Sequence, residues 1–205
     1  MIEHVRRRAL MSQEISKIYV ATCDKEIADV VMGYGGDVIM TENTHSNGTS
    51  RVAEAISQID CTHVILLQGD EPLLLPRHVD VMANAIQAHP EGDAWNATGP
   101  IESAEELDRH SFVKCSVGVS NRILQCFRRT PCFSDYESQR IFTRKILGII
   151  AYRKYFLLQL MKCEETPIER AELIEQMRIV ENGYNLISVE VSPSLPSVNE
   201  PEEAK

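Results

Sequence analysis

The stretch His63-Val64-Ile65-Leu66-Leu67-Gln68-Gly69-Asp70-Glu71-Pro72 decides the fold. Its first five residues are apolar on both faces, as expected of a strand inside a helix-covered parallel sheet, and the run then stops at a glycine and two adjacent carboxylates. Working backwards, residues 49–59 carry a helical apolar period behind a polar loop at 41–48, and residues 37–40 and 17–22 read as strands. Between those two strands, Asp24 caps a helix that runs through Ile27, Ala28, Val31 and Met32 and closes at Gly35-Gly36. Strand, helix, strand is most economically a parallel pair with a crossover helix.

Working forwards, residues 76–89 read as a helix, residues 112–119 and 123–127 as a hairpin turning at Ser120-Asn121, and residues 146–152 and 186–191 as further strands. Residues 128–142 form a long polar connection of the kind that tends to be functional. Thr166, Pro167 and Glu169 give three agreeing signals for a helix start, a capping threonine, a proline in the first turn and a capping-box glutamate; the helix is expected to end at Asn182-Gly183. Asn199-Glu200-Pro201 reads as the start of one more helix. The whole reads as one three-layer α/β domain over residues 1–205, with a mixed, mostly parallel sheet and an antiparallel hairpin extension. Ligands of such sheets bind at the carboxyl ends of the strands, where the loops 41–48 and 68–72 lie.

Composition narrows the function. The chain has 205 residues and a net charge of −9, with its basic residues scattered apart from Arg6-Arg7-Arg8, Arg128-Arg129 and Arg140, Arg144, Lys145. A phosphate backbone wants a continuous basic face, so polymeric nucleic acid is not the expected partner, and small basic groups in an acidic protein suit a small anion. The arginine triplet reads as a solvated helix face. Six cysteines without a C-x-x-C pair read as reduced, mostly buried thiols. No apolar run is long enough for a membrane helix and no signal-peptide core is seen, so a soluble cytoplasmic protein is expected.

Two loops carry the candidate chemistry. At Gln68-Gly69-Asp70-Glu71-Pro72, the glycine permits close approach of backbone and the carboxylates could hold a hard cation such as Mg2+ beside phosphates; an ordinary acidic turn is the plainer reading. At His45-Ser46-Asn47-Gly48-Thr49-Ser50-Arg51, small polar donors and a guanidinium sit at a helix start, an arrangement that can hold phosphate or a polar base. Capping by Thr49 or Ser50 would also explain that pattern. On the 166–181 helix, Glu169, Glu172, Glu175 and Gln176 alternate with apolar residues, and most of these acids read as the wet face. Of the arginine pair, Arg129 is the better ligand candidate.

Taken together, Met40-Thr41, His45, Gly48-Thr49, Arg51, Ala53-Glu54, Gln68-Gly69-Asp70-Glu71-Pro72, Phe112-Val113-Lys114, Phe127, Arg129-Thr130-Pro131, Gly148-Ile149, Ala151-Tyr152-Arg153, Thr166-Pro167-Ile168-Glu169 and Ile174-Glu175-Gln176-Met177-Arg178 resemble CMP-Kdo synthetase, the 3-deoxy-manno-octulosonate (Kdo) cytidylyltransferase family. The resemblance implies a nucleotidyltransferase-like (Rossmann-like) fold. It also implies transfer of a cytidylyl group from CTP to a small acidic sugar, with Mg2+, in a homodimer. It places Ser46, Asn47, Gly48, Thr49 and Arg51 along the CTP site, with Asp70 and Arg51 as catalytic groups. Asp70 and Asn199 fall at the metal positions, and Gln68, Arg129, Glu175 and Gln176 at the substrate site.

Four departures from the family pattern qualify these expectations. Ile146 and Ile150 stand where the family places a histidine and a tyrosine against the sugar acid, which predicts an altered acceptor pocket. Asn199 replaces a metal-binding aspartate. The chain ends before the terminal helix is complete. The family begins with a strand and a phosphate-cradling loop, whereas Met1-Ile2-Glu3-His4-Val5 aligns with the helix after them. A domain truncated at its N-terminus is therefore expected, with strand edges left open near residues 18–22 and 63–67. A cytidylyltransferase for a different small acid and a non-catalytic relative that binds a nucleotide or a partner are the competing readings.

Overall fold

The computed structural model describes residues 1–132 and 134–194. Its element order is α1 (Ile2–Ala9), β1 (Tyr19–Thr22), α2 (Lys25–Gly33), β2 (Asp37–Met40), α3 (Gly48–Ser57), β3 (His63–Leu67), α4 (Pro76–Ala88), β4 (Ala94–Pro100) and α5 (Ala104–Asp108). There follow β5 (Lys114–Val117), a 3-10 turn, β6 (Ile123–Phe127), α6 (Tyr136–Gln139), β7 (Thr143–Arg153), α7 (Lys154–Leu160), α8 (Pro167–Glu172), α9 (Gln176–Glu181) and β8 (Leu186–Glu190).

β7 organises the larger sheet. One of its edges pairs with β4, antiparallel, over residues 144–152. The other edge is shared, with β5 beside its start and β3 beside its end, both antiparallel. β8 then adds parallel to β4, and β6 adds antiparallel to β5. It follows that β3, β4, β5 and β8 share a direction while β6 and β7 oppose them, the mixed and mostly parallel sheet expected. One expectation about β3 is corrected: among the described residues its partner is the antiparallel β7, and no parallel neighbour flanks it. Helices α3 and α4 contact β3, but only Leu66 is buried and the other four residues are half-buried, so the full burial read from the apolar run is not reached.

Those helices make the outer layers. On one face Ala53 and Ile56 of α3, Phe156, Leu157 and Leu160 of α7, and Met177 and Ile179 of α9 pack against Leu66, Ile150 and Tyr152. On the other, Val5 and Ala9 of α1 and Val79 and Met82 of α4 pack against Trp95, Ile149 and Ala151. The alternation along β7 sends even-numbered residues to the α3 side and odd-numbered ones to the α4 side, as the two-residue period of a strand requires.

β4 escaped the sequence reading because Ala94-Trp95-Asn96-Ala97-Thr98-Gly99-Pro100 has no apolar run, although its first six residues are all buried. The expected 166–181 helix is two helices, because Leu173 adopts a left-handed conformation at φ 55° and breaks the run. The hairpin turn holds: Ser120 and Asn121 both have positive φ, the backbone that a tight two-residue turn demands. Of the arginine triplet, only Arg7 lies on the solvated face expected. Arg6 is buried, pairs with Glu3 at 2.7 Å and reaches the Tyr34 carbonyl, Arg7 stacks on the Tyr34 ring, and Arg8 donates to the Leu74 carbonyl. All six cysteines are free, but only Cys115 and Cys126 are buried, fewer than expected.

β1 and β2 form a separate parallel pair. α3 packs on both β1 and β3, yet among the described residues no ladder joins those two strands. Between them runs a cleft of about 1110 Å³, lined by Val20 and Ala21 of β1, Ile65 and Leu67 of β3, Ile56 of α3 and Val79 of α4. Two free strand edges over an apolar floor invite association. The 205-residue chain is therefore expected to bind a hydrophobic dye and to elute as mixed oligomers on gel filtration. A monodisperse monomer that leaves the dye dark would show that the cleft and the strand edges beside it are covered.

Candidate active site

The site is built where β3 ends. The Gln68 amide donates to the Gly148 carbonyl at 3.3 Å, carrying the pairing with β7 one residue past the strand, after which the chain leaves the sheet through Gly69 and Asp70. Glu71 turns back over β7, and its carboxyl lies where a β-carbon on Gly148 would fall. Burial, reinforced by the charge of neighbouring Asp70, pushes the Glu71 carboxyl up to about 7. Asp70 keeps one carboxylate oxygen, Oδ1, buried with no hydrogen-bond partner among the described residues. A buried unpaired carboxylate oxygen is costly, and a bound cation is one way to satisfy it.

The second wall is the start of α3. Asn47 is its N-cap, with Oδ1 accepting from the Ser50 amide at 2.8 Å, so the cap is neither Thr49 nor Ser50 as the plainer sequence reading had it. Asn47 therefore has only its amide NH2 free for a ligand, and the Ser46 hydroxyl stands exposed beside it. One turn on, Arg51 donates from Nη1 to Thr41 Oγ1 at 2.6 Å and to the Glu42 carbonyl at 3.2 Å, while its guanidinium also borders the cleft.

The third wall follows the break at Leu173. That left-handed residue redirects the chain so that Glu175 and Gln176 meet the sheet at the head of α9. Gln176 donates to Asn96 Oδ1 at 3.2 Å; Asn96 is fully buried and uses its own amide on the Ala97 and Leu147 carbonyls, mending the bulge where β4 shifts register against β7. Burial raises the Glu175 carboxyl above its usual range, opposed by the Thr49 hydroxyl and by Arg178. Glu169 is not on a wet face as expected: it is 5% exposed, closes the capping box at Thr166 and pairs with Arg178 at 2.6 Å. That buried pair fixes α8 to α9 and so sets where Glu175 stands.

Gly48, Arg51, Gln68, Asp70 and Glu175 share the large cleft, and Ser46, Asn47, Thr49 and Glu175 share an adjoining cavity of about 570 Å³. Ile146 and Ile150, on the even-numbered face of β7 with Gly148, pack in the core cluster with Ala53, Ile56 and Tyr152 and line neither cavity. Arg129 is brought to neither cavity; it is exposed one residue beyond Arg128, which is itself fastened to Glu172 and Leu173. Asn199 lies outside the described residues. Sequence reading assigned no role to Glu54 or Asn96; Glu54 had a usable signal, since it sits one helical turn from Arg51.

The arrangement puts a helix N-terminus, a guanidinium and an unpaired carboxylate around one cleft, a set suited to a nucleotide and its phosphates. A family model described as Cytidylyltransferase matches residues 1–189. The chain belongs to that family. It is 33% identical over 201 residues to the 3-deoxy-manno-octulosonate cytidylyltransferase of Escherichia coli, covering 98% of this chain and 81% of the relative. It is 35% identical over 212 residues to the 8-amino-3,8-dideoxy-manno-octulosonate cytidylyltransferase of Shewanella sediminis, covering 100% of this chain and 85% of the relative. A solved structure of CMP:2-keto-3-deoxy-manno-octonic acid synthetase complexed with CTP superposes with a TM-score of 0.91 at 32% identity, covering 98% of this chain and 83% of that one. The chain is thus a nucleotidyltransferase of the CMP-Kdo synthetase type, with the fold the sequence resemblance implied.

Gly148 gives this cytidylyltransferase its most exacting position. Gly148→Ala should expel the Glu71 carboxyl, lower stability by about 1–3 kcal/mol and sharply reduce turnover. An unchanged urea midpoint together with unchanged turnover would show that Glu71 has room elsewhere.

Proposed function

We propose that this cytidylyltransferase joins the CMP moiety of CTP to Kdo or a close Kdo derivative, releasing pyrophosphate. The observation that carries the reading is the buried, unpartnered Asp70 Oδ1, set in the same cleft as Arg51 and Glu175. In the reaction, a hydroxyl oxygen of the acceptor forms a bond to the α-phosphorus of CTP, the bond to the β-phosphate bridge breaks, and the hydroxyl proton is lost. Positioning and neutralisation of phosphate charge supply most of the rate in such transfers.

The residues present fit Mg2+. Asp70 would hold it, with Asn199 as a second position carried by the resemblance alone. Among the described residues no three His, Cys, Asp or Glu side chains gather as a protein-only metal cage. That agrees with magnesium, which keeps waters and binds through one or two carboxylates plus substrate phosphates. When bound it would offset the charge of the triphosphate. This chain's own residues do the rest. Ser46, the Asn47 amide and the Gly48 and Thr49 backbone would meet the nucleotide, and Arg51 would reach phosphate with the part of its guanidinium not spent on Thr41 and Glu42. Gln68, Glu175 and Gln176 would face the acceptor; Arg129, which lines neither cavity, is left out of that set. The reading extends, on resemblance, to a cytoplasmic homodimer.

Asp70→Asn should abolish nearly all pyrophosphate release with CTP, a Kdo-type acceptor and Mg2+ while leaving the circular dichroism spectrum intact. Retained release would remove Asp70 from the metal site.

The acceptor should differ from unmodified Kdo. The support is the resemblance, in which Ile146 and Ile150 stand where a histidine and a tyrosine would meet the sugar acid; each hydroxyl of a polyhydroxy acid left unpaired for want of those groups costs about 1–3 kcal/mol. In a panel of sugar acids, the 8-amino derivative included, at least one Kdo derivative should be used with a higher kcat/KM than Kdo. Kdo ranking first would show that these two isoleucines do not face the acceptor.

A further inference from the structure

The loop between β2 and α3 (residues 41–47) holds the Ser46 and Asn47 that the functional reading places on the nucleotide, yet it has little pairing of its own. Its one ladder-like bond is from the Thr41 amide to the Thr22 carbonyl, at 3.0 Å. Beyond Thr41 the chain is held from below by two oppositely charged side chains one turn apart on α3. Arg51 donates to Thr41 Oγ1 and to the Glu42 carbonyl. Glu54 accepts from the Glu42 amide, at 3.1 Å to Oε2 and 3.3 Å to Oε1, and from His45 Nε2. The N–H and the C=O of Glu42 are thus both taken, one by each member of the Arg51/Glu54 pair, and the ring of His45, directly before Ser46, is fastened to the same carboxylate.

We propose that Glu54 is a positioning residue for the nucleotide: its carboxylate, working opposite Arg51, fixes the Glu42 backbone and the His45 ring so that Ser46, Asn47 and Thr49 meet CTP in one preset geometry. The role rests on the CTP reading above. Glu54 itself never touches the reacting atoms. Its carboxyl is held below the usual carboxylate range, chiefly by the hydrogen bond from His45, so it stays an acceptor for both partners near neutral pH. Its side chain is about one-third exposed (32%), which separates this role from core packing: little apolar contact is lost when the carboxylate becomes an amide. What is lost is preorganisation, since a loop that must be ordered at the moment of binding lowers affinity for the ligand that orders it. Arg51 cannot test the idea cleanly because it also borders the phosphate region; Glu54 can.

The experiment compares wild type with Glu54→Gln and His45→Gln by three measurements: amide hydrogen exchange over residues 41–48, calorimetric titration with CTP and Mg2+, and melting temperature. Glu54→Gln keeps the length and an acceptor oxygen but gives up the charge and the tie to His45. It should speed exchange at Glu42 and through the loop and weaken CTP binding about tenfold, the loss of roughly one hydrogen bond to a charged group. Melting should shift no more than for an ordinary surface substitution. His45→Gln, which removes one of the bonds, should move exchange and affinity the same way by less. Unchanged loop exchange in Glu54→Gln, or faster exchange with wild-type CTP affinity, overturns the positioning role alone. A melting loss that accounts for the whole affinity loss makes Glu54 a prop of the fold and also overturns it. Failure of the wild-type chain to bind CTP overturns the nucleotide reading, and this role falls with it.

Discussion

The pairing of β7 on both edges is the constraint on which the rest of this structure depends. Eleven residues, Thr143–Arg153, hold β4 on one side and β5 and β3 on the other, so this strand fixes where β3 delivers Asp70 and where β4 delivers Asn96. Because β3 is hydrogen-bonded to the end of β7, Asp70 leaves the sheet beside Gly148. Because β4 is bonded to the opposite edge, Asn96 lies across from Ile150 and receives Gln176. A strand with both edges full cannot slip by a residue without turning its core face to the wrong layer, which makes the spacing of these side chains a property of the backbone. Among the described residues, the register shift in β4 beside Asn96 is the one irregularity in the ladders of β7, and bulges of this kind serve to re-aim side chains next to sites.

On this frame the charged groups fall into two sorts. Glu169 with Arg178, and Arg6 with Glu3, are answered within the protein: the first pair fastens α8 to α9, and the second lies within α1 and holds the Arg6 side chain that reaches the Tyr34 carbonyl at the end of α2. Such pairs gain little net stability, but losing one partner is expensive, and in that sense they fix geometry. Asp70, Glu71 and Glu175 are different. Each is drawn out of water with its charge incompletely answered: Asp70 has an unpartnered oxygen, and Glu71 and Glu175 are raised by burial. Asp70 and Glu175 line one cleft, and incompletely answered carboxylates in a cleft are where a protein gives up stability for a ligand.

The sequence made legible those parts whose signal is local. Asp24, Pro76 and Thr166 announced helices through capping and proline chemistry, Ser120-Asn121 announced a hairpin, and His63 to Leu67 announced a strand; each depends on residues within one or two turns. β4 was invisible because its polar residues are satisfied by partners far along the chain: Asn96 by Leu147 and Gln176, and Thr98 by the Ser188 hydroxyl at 2.8 Å. The break at Leu173 was invisible for a related reason, since no glycine or proline marks it. Arg6 was misjudged because a run of arginines on a helix looks the same from sequence whether its partners are water or Glu3 and Tyr34. Within the site, the loops at 41–48 and 68–72 were legible as clusters of small polar and acidic residues. The wall at Glu175 and Gln176 was legible only through family resemblance, since its place depends on how α8 and α9 are fastened together.

The nucleotide loop shows how the two kinds of information combine. The six residues that precede the Asn47 cap contain no apolar anchor that reaches either core cluster, so hydrophobic burial cannot decide their shape. Hydrogen bonds must do so, and the donors and acceptors are supplied by the helix that the loop itself leads into. Arg51 and Glu54 are one turn apart because only residues three or four apart on a helix can face the same loop. A helix that grips the segment before it makes a compact unit: the N-terminus that attracts an anion and the side chains that aim the loop at that anion are carried on one rigid rod. Such a unit tolerates change in the surrounding cleft better than a site assembled from distant elements, because its geometry is set within about fourteen consecutive residues, Thr41 to Glu54. The acceptor side has no such independence. The residues proposed for it come from separate elements: Gln68 follows β3, while Glu175 and Gln176 are placed by the Glu169–Arg178 pair and by Asn96 of β4, and it is on that proposed side that the resemblance sets the departures Ile146 and Ile150. Divergence in acceptor choice with the nucleotide half retained is the outcome that this division of the site makes easiest.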